Sequence, residues 1–301
     1  MSSSRKSLDS LRRDIDKIDD GIHDLIMRRA ALVEEIRALK GGDGNAYLRP
    51  AREAQVLRRL IARHEGIFPK NVLMRIWREL MSALVRLQGP FSVAVFAPEG
   101  APAYRSLARE HFGSFTPMIA VPSVEEALRL VADGSATVGV VPWPPGERAG
   151  PWWPMMTSIG PNAPRVIARL PFTGTGPKPE SGWNDATQAI AVAAIEQEES
   201  AGDHSIIFIE TDVEISRTGL KTVLEAVGIG SDFIAFTPGG GTPSSWQYLV
   251  ETTGFVSPQD ERITQLSEIG NLPITRVLHV GGYADPLTLE DLASSEEKAL
   301  T

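Results

Sequence analysis

The sequence predicts a multidomain chain: an all-α piece of three helices that pairs as a dimer, an α/β segment, and a closing α+β module. Three observations predict it. Up to residue 88 apolar side chains recur at spacings of three and four. From Phe91 short apolar runs alternate with helical patterns. From His204 the elements follow β-α-β-β-α-β order, which is the ferredoxin-like pattern.

The helical piece comes first. Leu8, Leu11, Ile15, Ile18, Ile22, Leu25, Leu32, Ile36 and Leu39 form one stripe and predict a single helix over residues 7–40. The Gly41-Gly42-Asp43-Gly44-Asn45 stretch stops it. Pro50 suits a first helical turn, so a second helix is expected to run from there to about His64. A third follows Pro69, with Leu73, Ile76, Leu80, Leu84 and Leu87 on one stripe, and Gly89-Pro90 ends it. Three such helices cannot bury a long seam alone, and a second copy is the natural cover.

Beyond the helices, strands are expected at Phe91–Ala97, Val138–Pro142 and Arg165–Leu170, with helices at Tyr104–Phe112 and Val124–Val131. Residues 143–188 are rich in Pro, Gly and Trp and read as a long ordered loop around one strand. The closing module is expected to place strands at Ser205–Glu210, Phe233–Thr237, Trp246–Thr252 and Thr275–Gly281. Its helices are expected at Thr218–Val227 and Pro258–Ile269. The boundaries that follow are 1–89, 90–200 and 201–287, with a polar tail over 288–301. Gly239-Gly240-Gly241 lacks the lysine of a phosphate-binding loop and reads as a hairpin turn.

Composition narrows the function. With 42% hydrophobic and 23% charged residues the chain is globular rather than disordered, and no apolar run reaches the roughly 18 residues of a membrane span. The start, Met1-Ser-Ser-Ser-Arg-Lys, has no apolar stretch behind its basic residues, so a cytoplasmic protein is expected. Cysteine is absent, which removes disulfides, thiolate metal sites and a cysteine nucleophile. His23, His64, His111, His204 and His279 are scattered without metal-ligand spacing, so no metal is expected.

The net charge of −8 is unevenly shared. Residues 1–88 carry 18 Lys and Arg against 12 Asp and Glu, whereas the remainder carries 12 against 26. A basic helical piece on an acidic body suits a small anionic substrate, and a solvated helical surface explains the same charges. Nucleic acid is not expected as a partner, because the cations interleave with acids rather than forming a stripe.

One residue breaks the stripe of the first helix: where an apolar residue is due between Leu25 and Leu32 stands Arg29. A guanidinium on a buried seam is costly unless an anion pairs with it. Lys40 follows 11 residues on, about 20° round the helix and about 16 Å along it. Two cations thus lean toward one apolar-walled gap suited to a small dianion. A register-setting charge and a helix-terminal cation account for the same pair. Arg12 lies well round the helix and reaches this face only across a dimer seam.

The order Leu11-Arg12-Arg13-Asp14-Ile15, Arg28-Arg29, Lys40, Arg49-Pro50-Ala51-Arg52-Glu53 and Met81-Ser82-Ala83…Gln88 resembles the all-helical chorismate mutases over residues 7–88. The resemblance implies that Arg12 enters the partner's site and that Arg29 and Arg52 bind the substrate carboxylates. It implies further that Lys40 and Gln88 bond the ether oxygen and that Glu53 bonds the substrate hydroxyl. Arg49 stands where an aspartate often assists at the hydroxyl, and Leu84 where a serine often touches a carboxylate. The implied reaction, chorismate to prephenate, is a pericyclic rearrangement without nucleophile, metal or proton transfer, so no cofactor is expected. Such a site holds a flexible dianion in its reactive shape and stabilises charge growing on the ether oxygen.

Residues 91–142 resemble the opening of a prephenate dehydratase, through Ala97-Pro98-Glu99-Gly100 and Val138-Gly-Val-Val-Pro142. The likeness decays at Trp143-Pro-Pro-Gly. Nothing matches that family's catalytic Thr-Arg-Phe, since the nearest stretch, Pro164-Arg165-Val166, has no hydroxyl. No dehydratase activity is therefore expected. Residues 204–287 resemble an ACT domain, above all in Val280-Gly-Gly-Tyr-Ala-Asp-Pro286. The loop Ser216-Arg217-Thr218-Gly219-Leu220 is similar to its effector-binding loop, so Arg217, Thr218, Gly219 and Leu220 are candidates to bind an aromatic amino-acid effector. The Phe236-Thr237-Pro238 stretch does not match that family's second motif. Two other functions remain open to the sequence: isochorismate-pyruvate lyase, on the same helical fold, and a non-catalytic metabolite sensor.

Overall fold

The computed structural model describes residues 7–39, 47–99, 102–144, 151–157, 160, 162–173, 188–239, 245–268 and 273–293. Residues 294–301 of the polar tail and half of the Pro/Gly/Trp-rich stretch lie outside them, as do Lys40 and residues 41–46 after it. Three helices open the chain: α1 (Leu8–Leu39), α2 (Pro50–Arg63) and α3 (Lys70–Gln88). Their limits follow the apolar periodicity and the Pro50 and Gly89 punctuation closely.

The burial of the helices departs from the single-stripe reading. On α2 the buried face is Ala51, Ala54, Leu57 and Ile61. On α3 it is Met74, Arg78, Met81, Ser82, Leu84 and Val85, while Ile76 and Leu87 are exposed. The stripe expected at Leu73–Leu87 is thus only one of two apolar faces. The other is turned to the body, because Ala54, Leu57, Met74 and Met81 share a core cluster with Phe172 and Leu287. On α1 no residue is buried, and the entire stripe from Leu8 to Leu39 is open in the protomer.

Among the described residues the body is one nine-stranded sheet, ordered β2-β1-β3-β5-β4-β9-β6-β8-β7. Its first half contains β1 (Val93–Phe96), β2 (Met118–Val121), β3 (Val138–Pro142), β4 (Arg165–Leu170) and β5 (Ala189–Ala193). Strands β2, β1 and β3 are parallel, and β5 runs antiparallel between β3 and β4. Strands β1, β3 and β5 are buried along their whole length, as befits a sheet covered on both faces. Helix α5 (Val124–Ala132) covers one face together with Trp152, Trp153 and Met156. Helix α4 (Ala103–Phe112) covers the other, beside Leu48, Val85 and Phe91 at the root of the helical piece.

The second half runs β6 (Asp203–Thr211), α6 (Arg217–Ala226), β7 (Ser231–Pro238), β8 (Trp246–Thr253), α7 (Glu261–Glu268) and β9 (Ile274–Ala284). Its strand order β9-β6-β8-β7 is antiparallel throughout and has the expected ferredoxin-like topology. Along β6 the side chains alternate: Ile206 and Phe208 join the Trp153 cluster, and Ile207 and Ile209 pack under α6 and α7. A short α8 (Leu289–Leu292) ends the described chain, capped by Thr288 and Asp291. The glycine run at the β7–β8 turn is described only at Gly239, whose N–H meets the Ser245 carbonyl at 2.7 Å.

The two halves meet where β4 and β9 pair in parallel, with Val166 opposite Gly281. Gly281 has φ +109°, and a Cβ there would stand 2.3 Å from both the N and O of Val166. Only glycine allows this approach. It joins two segments that the sequence reads as separate units into one sheet.

Candidate active site

Arg29 projects from α1 toward the N-terminal end of α2, half-buried, and its Nη1 is shielded from solvent with no hydrogen-bond partner among the described residues. Burial lowers its pKa, and the nearby Glu53 opposes that shift. A shielded guanidinium nitrogen without an acceptor is costly in a resting protein and suits a site that receives an anionic ligand.

Glu53 lies on the first turn of α2, which Pro50 starts. Its Oε2 accepts from Arg78 Nη1 at 3.0 Å, and both side chains are largely buried. Burial raises the Glu53 carboxyl above the ordinary value, with Arg78 and then Arg29 pulling it back. Burial lowers Arg78, against Glu53 and Glu110. Behind Arg78 stand His111 of α4, with Nε2 3.5 Å from Nη1, and the Phe172 ring, 4.7 Å from the guanidinium carbon. Burial first, and Arg78 second, hold His111 well below the usual histidine pKa, so it is neutral.

The remaining sequence-derived candidates are dispersed to different degrees. Arg52 is exposed beside Glu53, and its Nη1 donates to Gln55 Oε1 at 3.5 Å. Gln88 ends α3 part-buried, its amide donating to the Leu84 carbonyl at 3.3 Å. Leu84 is a buried core residue. Arg12 is exposed and 3.6 Å from Asp9, far along α1 from Arg29. Lys40 lies outside the described residues. Arg49 caps α2 and grips Glu198, with Nε 3.1 Å from both carboxylate oxygens and Nη2 3.0 Å from Oε1. It therefore faces the β5–β6 connection rather than Arg29.

In the closing module, Ser216 caps α6 by accepting from the Gly219 N–H at 3.1 Å. Arg217 lies over the Phe233 ring at 4.4 Å, Thr218 opens onto the surface, and Leu220 is buried beneath α6. Arg165 is half-buried and donates to the Met156 carbonyl at 3.3 Å.

Arg78, His111 and Phe172 are the residues that reading the sequence passes over. The available signal is the one that exposes Arg29: Met74, Met81 and Val85 make a second apolar stripe, and Arg78 interrupts it. Among the described residues no helix is long and apolar enough to cross a membrane, and no group of His, Asp or Glu is placed to hold a metal ion.

Comparison with known proteins places the first part of the chain beside a known family. A bifunctional chorismate mutase/prephenate dehydratase of Pseudomonas aeruginosa is 32% identical over 145 residues, covering 46% of this chain and 40% of that protein. The corresponding protein of Neisseria gonorrhoeae is 33% identical over 131 residues, covering 44% and 35%. The chain thus spans about two fifths of the length of these curated relatives. The prephenate dehydratase of Arthrobacter aurescens in complex with L-Phe aligns with a TM-score of 0.46 at 14% identity, over 69% of this chain and 95% of that one. Residues 11–89 match the family model described as chorismate mutase type II.

Proposed function

We propose that the chain is a chorismate mutase that rearranges chorismate to prephenate and that its α/β and ferredoxin-like parts regulate the reaction. The observation that carries this is Arg29 Nη1, shielded and without a hydrogen-bond partner among the described residues, with Glu53 near enough to act on its charge, inside the segment that matches the chorismate mutase family. Arg29 and Arg52 take the two carboxylates, Lys40 and Gln88 bond the ether oxygen, and Glu53 bonds the hydroxyl. Cations and amide donors on rigid helices hold the reactive chair and stabilise charge growing at the ether oxygen, so no cofactor is required.

The site is completed by a second copy. The open stripe of α1, with Ile15, Ile18, Ile22, Leu25, Leu32 and Ile36 about half exposed or more, supports a homodimer in which Arg12 enters the partner's site. The closing module acts as an ACT-type sensor, with the Ser216–Leu220 turn receiving an aromatic amino acid. The α/β part has no dehydratase activity, since Pro164-Arg165-Val166 offers no hydroxyl where that chemistry needs one. Arg165 there is committed to the Met156 carbonyl.

The test is consumption of chorismate by the full chain, with isochorismate assayed alongside and with phenylalanine, tyrosine or tryptophan added. Prephenate formation is the expected result. Turnover of isochorismate to pyruvate instead assigns a lyase, and turnover of neither substrate removes the enzymatic reading.

A further inference from the structure

We infer that Arg78 is a positioning residue for Glu53, and that His111 and Phe172 of the α/β body form the seat that fixes Arg78. The inference rests on the reading of Glu53 as the residue that meets the substrate hydroxyl. Arg78 Nη1 holds Glu53 Oε2 at 3.0 Å, and among the described residues no other side chain bonds that carboxylate. A carboxylate held by one oxygen keeps its other oxygen free to accept from a ligand, and Arg29 is near enough to act on its charge.

Arg78 is itself constrained on its far side. It is 6% exposed, with Phe172 under its guanidinium at 4.7 Å and His111 at 3.5 Å. Phe172 is 6% exposed and meets His111 edge-on at 6.3 Å. A planar guanidinium offers its face to a ring and its edge to a carboxylate at once, which an ammonium does not. The neutral His111 adds a contact without adding a second buried charge. The carboxylate of the mutase site is therefore oriented by a side chain whose seat belongs to the α/β body.

A double-mutant cycle on the full chain separates this role from a merely structural ion pair. Arg78→Met is expected to lower kcat by roughly tenfold or more while KM changes less, and Arg78→Lys to recover part of the loss. In a Glu53→Ala background the same Arg78→Met change is expected to alter kcat by less than about twofold, because its route of action is gone. Phe172→Leu is expected to follow Arg78→Met with a smaller loss that also vanishes in Glu53→Ala. Equal fold-losses in both backgrounds overturn the inference, as does an Arg78→Met enzyme with wild-type kcat. Should Arg78→Met fail to fold, Arg78→Lys is carried through the same cycle with the same criteria. A wild-type chain that leaves chorismate unchanged removes the reading of Glu53 and the inference with it, whereas an active wild type with additive losses removes the inference alone.

Discussion

Arg58 donates to the Gly202 carbonyl at 2.7 Å, and this bond pins the middle of α2 to the loop that opens the closing module. The same guanidinium donates to the Ser200 carbonyl at 3.0 Å, to Ser200 Oγ at 3.1 Å and to the Asp285 carbonyl at 3.0 Å. One turn earlier Gln55 reaches the Glu199 carbonyl at 3.4 Å, and at the head of α2 Arg49 holds Glu198. Consecutive residues 198–200 thus run beside the helix that carries Arg52 and Glu53. The β5–β6 connection is thereby tied directly to the helix that carries the candidate site residues.

Replacing Arg58 by methionine leaves three carbonyls and a hydroxyl without this donor. The expected cost is about 3 kcal/mol, since hydrogen bonds to a charged donor are each worth about 1.5–3 kcal/mol and are not additive here. Urea unfolding monitored through the helical signal measures it, and a midpoint within error of the wild type contradicts it.

Gly281→Ala is expected to destabilise by at least about 3 kcal/mol, combining a strained positive φ with a Cβ driven into the Val166 backbone. The loss falls on the junction of the two half-sheets, so thermal unfolding is expected to lose cooperativity. A single transition at the wild-type midpoint rules this out.

Acid weakens the fold through buried histidines. His279, bonded to Gln197 at 3.1 Å, titrates at about 4 instead of 6.5, because burial and then Arg165 disfavour its charged form. Between those values the unfolded chain takes up a proton that the folded chain refuses. Stability therefore falls as pH drops from 6.5 and the loss is complete near 4, worth about 3 kcal/mol for this residue. His111 acts in the same direction. Denaturation midpoints measured across this window are expected to decline more gently in His279→Gln, and parallel slopes would show that His279 contributes nothing.

A charge on the open stripe of α1 tests the dimer. Ile22 and Leu25 are 51% and 66% exposed in the protomer, so Ile22→Glu is expected to change protomer stability by no more than about 0.5 kcal/mol. Its mass by light scattering is expected to halve, with turnover lost as Arg12 leaves the partner's site. A dimeric, active Ile22→Glu protein is the contrary outcome.

Lys40→Ala is expected to reduce kcat by about 10² to 10³, as removal of a donor from an oxyanion-stabilising set does, and Glu53→Ala by less. The ether oxygen gains charge in the transition state, whereas the hydroxyl does not. Equal and mild losses in the two variants would place Lys40 outside the chemistry.

The sequence by itself determined the three helices, seven of the nine strands and the ferredoxin-like order. Those features rest on local periodicity and on Gly and Pro at element ends, which neighbouring residues along the chain dictate. It also exposed Arg29, because one charge among nine apolar positions is visible without a fold. Only the tertiary structure decided that Ala189–Ala193 is a central strand, since five small or apolar residues carry no period of their own and acquire strand geometry from β3 and β4 on either side. It likewise decided that α3 has a second buried face, which brings Arg78 against Glu53, His111 and Phe172. Such partners lie 25 and more residues apart, and their meeting depends on how helices pack on a sheet rather than on any pattern within one segment.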